Sequence, residues 1–346
     1  MKIKLVLPAE WEKHEATWLV WPQRSDDWPG RFASIKWVYC DIIKIISNSE
    51  LVRLIVDSKE AENKTKAVLI RAGVSLTGIE FFHFKSDRSW IRDYGPFFVR
   101  SENDIETVRF YFNGWARYPQ WENDNEVSVK IINEFNFKNI NAEYQGKKIV
   151  FEGGSIDVNG KGTLITTKQC LLNKSKQIRN PYFDKEDYEK IFEKYFGVTN
   201  TIWLNEGIAG DDTNGHIDET CRFVNENTVV VCYEPNSDDA NCKPLNENIE
   251  ILQNSRLEDG SKLNIINLPM PEPKYFDGYR LPASYVNFYI SNSSVLVPTF
   301  NDANDYKALG IFNEIFNSRK VIGINCTDLI WGFGAIHCTA KEQYAL

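Results

Sequence analysis

The fold is first indicated by the stretch Gly154-Ser-Ile-Asp-Val-Asn-Gly-Lys-Gly-Thr-Leu-Ile-Thr-Thr167. Apolar and polar residues alternate on both sides of its Asn159-Gly160 dipeptide. Alternation with a period of two is typical of a half-buried strand, and Asn-Gly between two such runs favours a tight turn. The stretch therefore predicts a β-hairpin.

The same pattern of two short strands about a polar turn recurs in residues 96–112, 220–233 and 285–298. Segments of helical periodicity and then β-rich segments follow these hairpins, clearest in residues 184–196 with 201–204 and 305–316 with 320–325. Near the N-terminus, residues 15–21, 35–47 and 51–56 make a comparable unit.

This recurrence predicts an α/β fold in which about five hairpin–helix–strand units repeat around an axis. The alternative is a plain mixed α/β domain with frequent hairpins. No proline-rich linker or low-complexity tract divides the sequence. We therefore expect residues 1–346 to form a single domain.

Composition argues against several classes of partner. The formal net charge is −8, and no basic stripe is present that would bind the phosphates of a nucleic acid. An acidic surface attracts small cations instead.

No stretch is long and apolar enough to span a membrane, and the short apolar run before Pro8 is not a secretory signal. A homo-oligomer is compatible with the sequence.

The seven cysteines are odd in number and lack CxxC spacing. Together with the missing signal, this predicts reduced thiols and a cytoplasmic protein, with most of the cysteines serving as small core residues.

Residues able to do chemistry collect just before the hairpins, at the entrances to the units. If the units surround an axis, these entrances meet at one mouth. The predicted pocket then holds Asp93, Glu152, His216, Asp218 and Cys338.

Such a set suits nucleophilic attack on a cation. A cysteine thiolate is a nucleophile, and a histidine can give a proton to a leaving amine and later take one from water. His216 and Asp218, two apart on a predicted extended segment, face the same way. Carboxylates grouped in an apolar pocket need a cation, and a guanidinium matches them through paired donors. Its positive charge would also favour the Cys338 thiolate.

His337 is predicted to be structural, because neighbours in an extended segment point to opposite faces and Cys338 is assigned to the pocket. Two alternatives to this chemistry remain open. One is a metal hydrolase with Asp93, Glu152, His216 and Asp218 as hard ligands. The other is a non-catalytic polyamine-binding module in which Cys338 only packs.

The sequence resembles the agmatine deiminases over nearly its whole length. The motifs occur in order: Trp-x-Arg-Asp-x-Gly-Pro from Trp90, Phe-Asn-x-Trp ending at Trp115, Glu-Gly-Gly-Ser from Glu152, Thr-Asn-Gly-His-Ile-Asp ending at Asp218, Arg-Leu-Pro-Ala-Ser-Tyr-x-Asn-Phe at residues 280–288, and Ile-His-Cys ending at Cys338.

This resemblance implies the five-bladed α/β propeller (pentein) fold of the guanidino-group-modifying superfamily. It also implies hydrolysis of agmatine to N-carbamoylputrescine and ammonia, without a metal or organic cofactor. Cys338 would be the nucleophile, His216 the general acid and base, and Asp93 and Asp218 the guanidinium ligands, assisted by Glu152. We further expect Trp90, Trp115 and Gly334 to line the substrate site.

Two segments depart from the family pattern. Residues 332–335 read Gly-Phe-Gly-Ala where Gly-Gly-Gly-Asn is usual, and Arg88 replaces part of an expected Asn-Asp pair. A deiminase of free or peptidyl arginine is therefore the alternative, since free arginine needs a cation for its carboxylate. We expect Arg88 to face solvent, which favours agmatine.

Overall fold

The computed structural model describes residues 5–102 and 104–346. Residues 1–4, which belong to the N-terminal segment judged not to be a signal, lie outside the described residues. So does residue 103, in the turn of the predicted hairpin at residues 96–112.

The hairpin that suggested the fold consists of Ile156–Val158 and Thr163–Thr167, paired antiparallel. The Asn159 carboxamide oxygen accepts hydrogen bonds from the backbone amides of residues 161, 162 and 163, at 2.9, 3.1 and 2.9 Å. Gly160 takes a positive φ of 70°. The turn is thus closed by the side chain that the sequence places there.

Five sheets of three or four strands make up the framework in the described part of the chain. Each joins an antiparallel pair to a parallel strand that follows a helix, and we call them units 1 to 5. Their strands, in sheet order, are Ala340–Tyr344, His14–Val20, Leu51–Val56 and Ile79–His83 (unit 1); Phe97–Arg100, Ile105–Arg109 and Asn139–Asn141 (unit 2); Ile156–Val158, Thr163–Thr167 and Asn200–Leu204 (unit 3); Cys221–Asn225, Thr228–Tyr233 and Asn264–Pro269 (unit 4); and Tyr289–Ile290, Ser294–Thr299 and Lys320–Asn325 (unit 5).

In each unit a helix connects the second strand to the third, and in unit 1 a further helix connects the third strand to the fourth. These helices are Phe32–Ile46 and Lys59–Arg71 in unit 1, Glu122–Phe135 in unit 2, Lys168–Leu171 and Lys185–Phe196 in unit 3, Cys242–Asn254 in unit 4, and Asp305–Ile315 in unit 5. Two small ribbons pair Glu143–Tyr144 with Lys147–Lys148 and Tyr275–Phe276 with Tyr279–Arg280. The α/β class and the repeated unit are confirmed.

Unit 1 joins the first and the last strand of the described chain, because Ala340–Tyr344 pairs antiparallel with His14–Val20. The residues that precede the C-terminal strand are therefore brought next to the N-terminal segment. Buried hydrophobic side chains form clusters between the sheets and their helices. Among the described residues, no helix combines the length and apolar character needed to cross a bilayer.

Candidate active site

Short helical turns stand at the entrances to several units and contact one another. They are Ile91–Tyr94, Gly153–Ser155, Ile217–Glu219 and Ile336–Thr339. Each lies within a few residues of the first strand of a sheet, so equivalent points of the units supply the side chains. The structure brings together Asp93, Glu152, His216, Asp218 and Cys338, all of them buried.

Asp93 is held in one orientation by two neutral donors. Trp115 Nε1 donates to Oδ2 at 2.8 Å, and the Gly154 amide donates to Oδ1 at 2.8 Å. Burial raises the pKa of Asp93, and the negative charges of Asp218 and Glu152 add to the increase, against the opposing effect of His216. A bound cation would relieve this repulsion.

His216 is oriented by Glu152. Its Nε2 lies 3.3 Å from Glu152 Oε2, and Glu152 is itself bound by Arg179 Nε at 3.1 Å. The other ring nitrogen, Nδ1, lies 3.9 Å from both Asp93 Oδ1 and Asp218 Oδ1. Burial by itself would lower the pKa of His216, but Asp93 and its other partners raise it well above the ordinary value. The imidazole is therefore a proton donor facing the carboxylates.

The predicted extended segment at His216 is not present. Ile217–Glu219 forms a 3₁₀ turn, and this turn brings His216 Nδ1 within 3.9 Å of Asp218 Oδ1. The two side chains still meet, for a different geometric reason from the one that the spacing suggested.

Gly154 leaves space where the polar groups converge. A Cβ at this position would lie 2.6 Å from His216 Nδ1, 2.9 Å from Asp218 Oδ2 and 3.0 Å from Asp93 Oδ1. Any side chain would therefore fill the room between the imidazole and the two carboxylates.

The Cys338 thiol sits in an acidic environment. Its Sγ lies 3.7 Å from Asp218 Oδ2 and 3.6 Å from Glu219 Oε1, and Asn287 Nδ2 donates to it at 3.2 Å. Burial raises the pKa of Cys338 well above its usual range, with further contributions from Asp218, Glu219 and Asp93. The thiolate needs a positive charge nearby, as a bound guanidinium would provide.

His337, predicted to be structural, contacts a carboxylate of the site directly. Ile336–Thr339 is a helical turn rather than an extended segment, so the premise of opposite faces was wrong. His337 Nδ1 lies 2.7 Å from Asp218 Oδ2, and Nε2 lies 2.8 Å from Glu10 Oε2. Arg92 and Arg222 bind the same Glu10 carboxylate, at 3.1 and 2.8 Å.

A cleft leads to Asp93 and Cys338. It is lined by Arg88, Trp90, Asp93, Trp115, Tyr118, Asp212, Thr213, Gly332, Phe333 and Cys338. Trp90 and Trp115 line it as expected. Gly334 packs behind it, since a Cβ there would lie 2.9 Å from the Trp90 ring and 3.1 Å from Cys338 Cβ.

Arg88 lines this cleft, contrary to the expectation that it faces solvent. Its Nη1 lies 2.6 Å from Asp27 Oδ1, and its guanidinium lies 4.2 Å from the centre of the Tyr118 ring. The positive charge is therefore already paired within the protein.

Several residues that contact the site were not predicted from the sequence. Glu219 and Asn287 touch the Cys338 sulfur; Asn287 stands inside the motif at residues 280–288, and Glu219 directly follows the motif that ends at Asp218. Cys170, expected to serve packing alone, lies beside His216 and Glu152. Among residues 5–102 and 104–346, potential metal-ligand atoms gather within 4.8 Å of one another in two groups, Glu152–Cys170–His216 and Asp218–Glu219–Cys338. Neither group is the predicted hard-ligand set of Asp93, Glu152, His216 and Asp218.

Comparison with known proteins places this geometry in a family. Residues 6–343 match the family described as Porphyromonas-type peptidyl-arginine deiminase. The agmatine deiminase of Pseudomonas aeruginosa (strain LESB58) is 34% identical, over 98% of this chain and 95% of that protein. The chain belongs to the agmatine deiminase family. The resemblance drawn from the motifs is thereby confirmed.

Solved structures of agmatine deiminases share the fold. A Cys-to-Ser variant of the C. jejuni agmatine deiminase with substrate bound has a TM-score of 0.88 and 28% identity, covering 99% of this chain and 97% of that one. The agmatine deiminase of Enterococcus faecalis has a TM-score of 0.89 and 27% identity, with coverages of 99% and 96%.

Proposed function

We propose that this protein hydrolyses agmatine to N-carbamoylputrescine and ammonia through a covalent intermediate on Cys338. The observation that carries the proposal is the space at Gly154, bounded by Asp93, Asp218 and His216, with Cys338 Sγ 3.7 Å from Asp218. Family membership supports it, because the Pseudomonas aeruginosa and C. jejuni proteins compared above are agmatine deiminases.

The guanidinium binds between the two aspartates. Asp218 Oδ1 is buried and has no hydrogen-bond partner among the described residues. An orphaned carboxylate oxygen is unfavourable until a donor reaches it. Two carboxylates facing a planar group with forked N–H donors fix its plane and expose its central carbon to Cys338.

Chemistry then proceeds in two halves. The Cys338 thiolate attacks the guanidinium carbon, and His216 Nδ1 donates a proton to the departing nitrogen, which leaves as ammonia. The neutral His216 next takes a proton from water as that water attacks the thiouronium carbon. Collapse of the adduct breaks the C–S bond and forms the C=O bond of the ureido product, while the hydroxyl proton passes to solvent and balances the conversion of the released ammonia to ammonium. Glu152 keeps Nδ1 directed at the substrate by occupying Nε2.

The cleft mouth suits the amine end of agmatine. Asp212 lines the mouth, and Tyr118 Oη donates to its Oδ2 at 2.5 Å. Burial raises the pKa of Asp212 to about 6, so its carboxylate remains largely ionised at neutral pH. A primary ammonium at this point would complement it.

The same proposal extends to the whole molecule. The five ββαβ sheets are the blades of a five-bladed α/β propeller, residues 1–346 form a single catalytic domain, and the enzyme works in the cytoplasm. Supporting this arrangement, the candidate active-site residues come from equivalent turns before the strands, and the first and last described strands share the sheet of unit 1.

A deiminase of free or peptidyl arginine is the second candidate. It is favoured by Arg88 lining the cleft and by the description of the matching family. It is disfavoured by the pairing of Arg88 with Asp27 at 2.6 Å, which leaves less positive charge for a substrate carboxylate.

The decisive experiment measures ammonia release from agmatine by wild-type protein, Cys338→Ser and Cys242→Ser. Cys242 is the matched control because it is a partly exposed thiol in unit 4. We expect turnover in wild type and Cys242→Ser only, with an acid-trapped amidino adduct on Cys338 by mass spectrometry. Wild-type activity that EDTA abolishes, or that survives in Cys338→Ser, would instead support a metal hydrolase. Agmatine binding without ammonia release would support a binding module.

A further inference from the structure

Glu219 is a buried acid in contact with the nucleophile that the reaction above does not use. Glu219 is only 3% exposed to solvent, and its Oε1 lies 3.6 Å from Cys338 Sγ. Asn287 Nδ2 donates to Oε1 at 3.0 Å, whereas Oε2 has no hydrogen-bond partner among the described residues. A buried carboxylate oxygen without a donor is unfavourable, so this acid is not fully satisfied by its structural contacts.

The thiol proton of Cys338 needs an acceptor before attack. His216 is unsuited, because it must still hold its own proton to give to the leaving nitrogen. Around Sγ, the acceptors are Asp218 Oδ2, Asn287 Oδ1 and Glu219 Oε1, at 3.7, 3.6 and 3.6 Å. Asn287 is an amide and no base, and Asp218 Oδ2 already faces His337 at 2.7 Å.

We propose that Glu219 Oε1 is the general base that takes the proton of Cys338 when a guanidinium cation enters the site. The proposal rests on the deiminase function above. The S–H bond breaks, an O–H bond forms, and the electron pair stays on sulfur. When the C–S bond of the last intermediate breaks, the sulfur recovers the proton from Glu219, which closes the cycle.

The electrostatics of the site support this role. Burial raises the pKa of Glu219 well above its usual range, and Asp218 and Asp211 add to the increase. A more basic carboxylate is a better match for a thiol in proton transfer. The positive substrate stabilises the thiolate that results, so attack is prepared only when the site is filled.

The test uses Glu219→Gln, which keeps the size of the side chain and removes the base. Every protein carries Cys242→Ser, so that alkylation by iodoacetamide reports on Cys338. We expect kcat/KM for agmatine to fall by about a hundredfold, within the usual range for loss of a general base. We expect alkylation without substrate to become faster at neutral pH, because removal of a carboxylate lowers the pKa of the thiol.

The opposite signs of the two effects separate the proposal from simpler roles. Faster alkylation together with unchanged or faster turnover would mean that Glu219 only repels the thiolate, and would overturn it. Slower turnover with an unchanged pH profile of alkylation would indicate a packing role, and would also overturn it. Glu226→Gln, at an exposed glutamate paired with Lys161, is the control for loss of an acid elsewhere.

If Glu219→Gln fails to fold, Glu219→Asp provides the second variant. It retains a carboxylate but withdraws it from Sγ, so we expect an intermediate loss of kcat and an otherwise native melting temperature. Full activity in that variant would contradict the proposal. If the wild-type protein released no ammonia from agmatine, the proposed deiminase function would be refuted. If wild type and Glu219→Gln were equally active, only the proposed role of Glu219 would be refuted.

Discussion

His337 Nδ1 lies 2.7 Å from Asp218 Oδ2, the same oxygen that lies 3.7 Å from Cys338 Sγ. His337 is itself anchored by Glu10, at 2.8 Å from Nε2. Because both ring nitrogens of His337 contact carboxylates, the imidazole fixes the orientation of the Asp218 side chain through Oδ2. Asp218 Oδ1 has no hydrogen-bond partner among the described residues, which leaves it available to the guanidinium of the proposed reaction.

Replacing His337 with Gln should weaken the grip on the guanidinium. A hydrogen bond to a charged group contributes about 1.5–3 kcal/mol, so we expect KM for agmatine to rise about tenfold or more. Steady-state kinetics measures this effect. His83→Gln is the control, since His83 pairs with Glu62 at 2.7 Å on a partly exposed strand away from the cleft. An unchanged KM in His337→Gln would exclude the positioning role.

Replacing Gly154 with Ala should block substrate binding. The added Cβ would lie 2.6 Å from His216 Nδ1, well inside van der Waals contact. We expect activity to fall by about a hundredfold or more, as for other small displacements of catalytic groups. Gly310→Ala is the control, because its Cβ would meet no described atom within 4 Å at an exposed position of the helix Asp305–Ile315. Wild-type kinetics for Gly154→Ala would place the guanidinium elsewhere.

Replacing His216 with Gln should change stability in a pH-dependent way. The pKa of His216 is raised well above 6.5 in the folded state, so its stabilising charge is fully present below the unfolded value and is lost as pH rises through the folded value. Urea unfolding should show the variant less stable than wild type below the ordinary histidine pKa, with a deficit that shrinks as pH rises into the alkaline range. A deficit that stays constant with pH would contradict this charge assignment.

The substrate tail should be selected by charge. We expect kcat/KM to favour agmatine over free arginine by about a hundredfold, roughly 2.7 kcal/mol in transition-state binding. Arg88 is paired with Asp27 at 2.6 Å, so Asp27→Asn should free it and raise the rate with arginine, while Arg88→Ala should not. A wild-type preference for arginine that disappears in Arg88→Ala would move the assignment to an arginine deiminase.

Much of the fold was predictable because its signals are local. Asn159 and Gly160 specify their turn through one side chain and one backbone angle, and the strands Leu51–Val56 and Lys320–Asn325 have the bounds of the β-rich segments predicted there. The short turns at Ile217–Glu219 and Ile336–Thr339 were mistaken for extended chain. Their single turns are too short to show a helical period.

The sequence by itself determined the α/β units, the family and the five ionisable residues that meet in the pocket, because motifs and periodicity are properties of neighbouring residues. Only the tertiary structure decided which groups surround them. Glu10 reaches His337 across 327 positions, and Glu219 reaches Cys338 across 119. Such contacts arise when distant units pack together, and burial then sets the charge of each group. No local pattern encodes that environment.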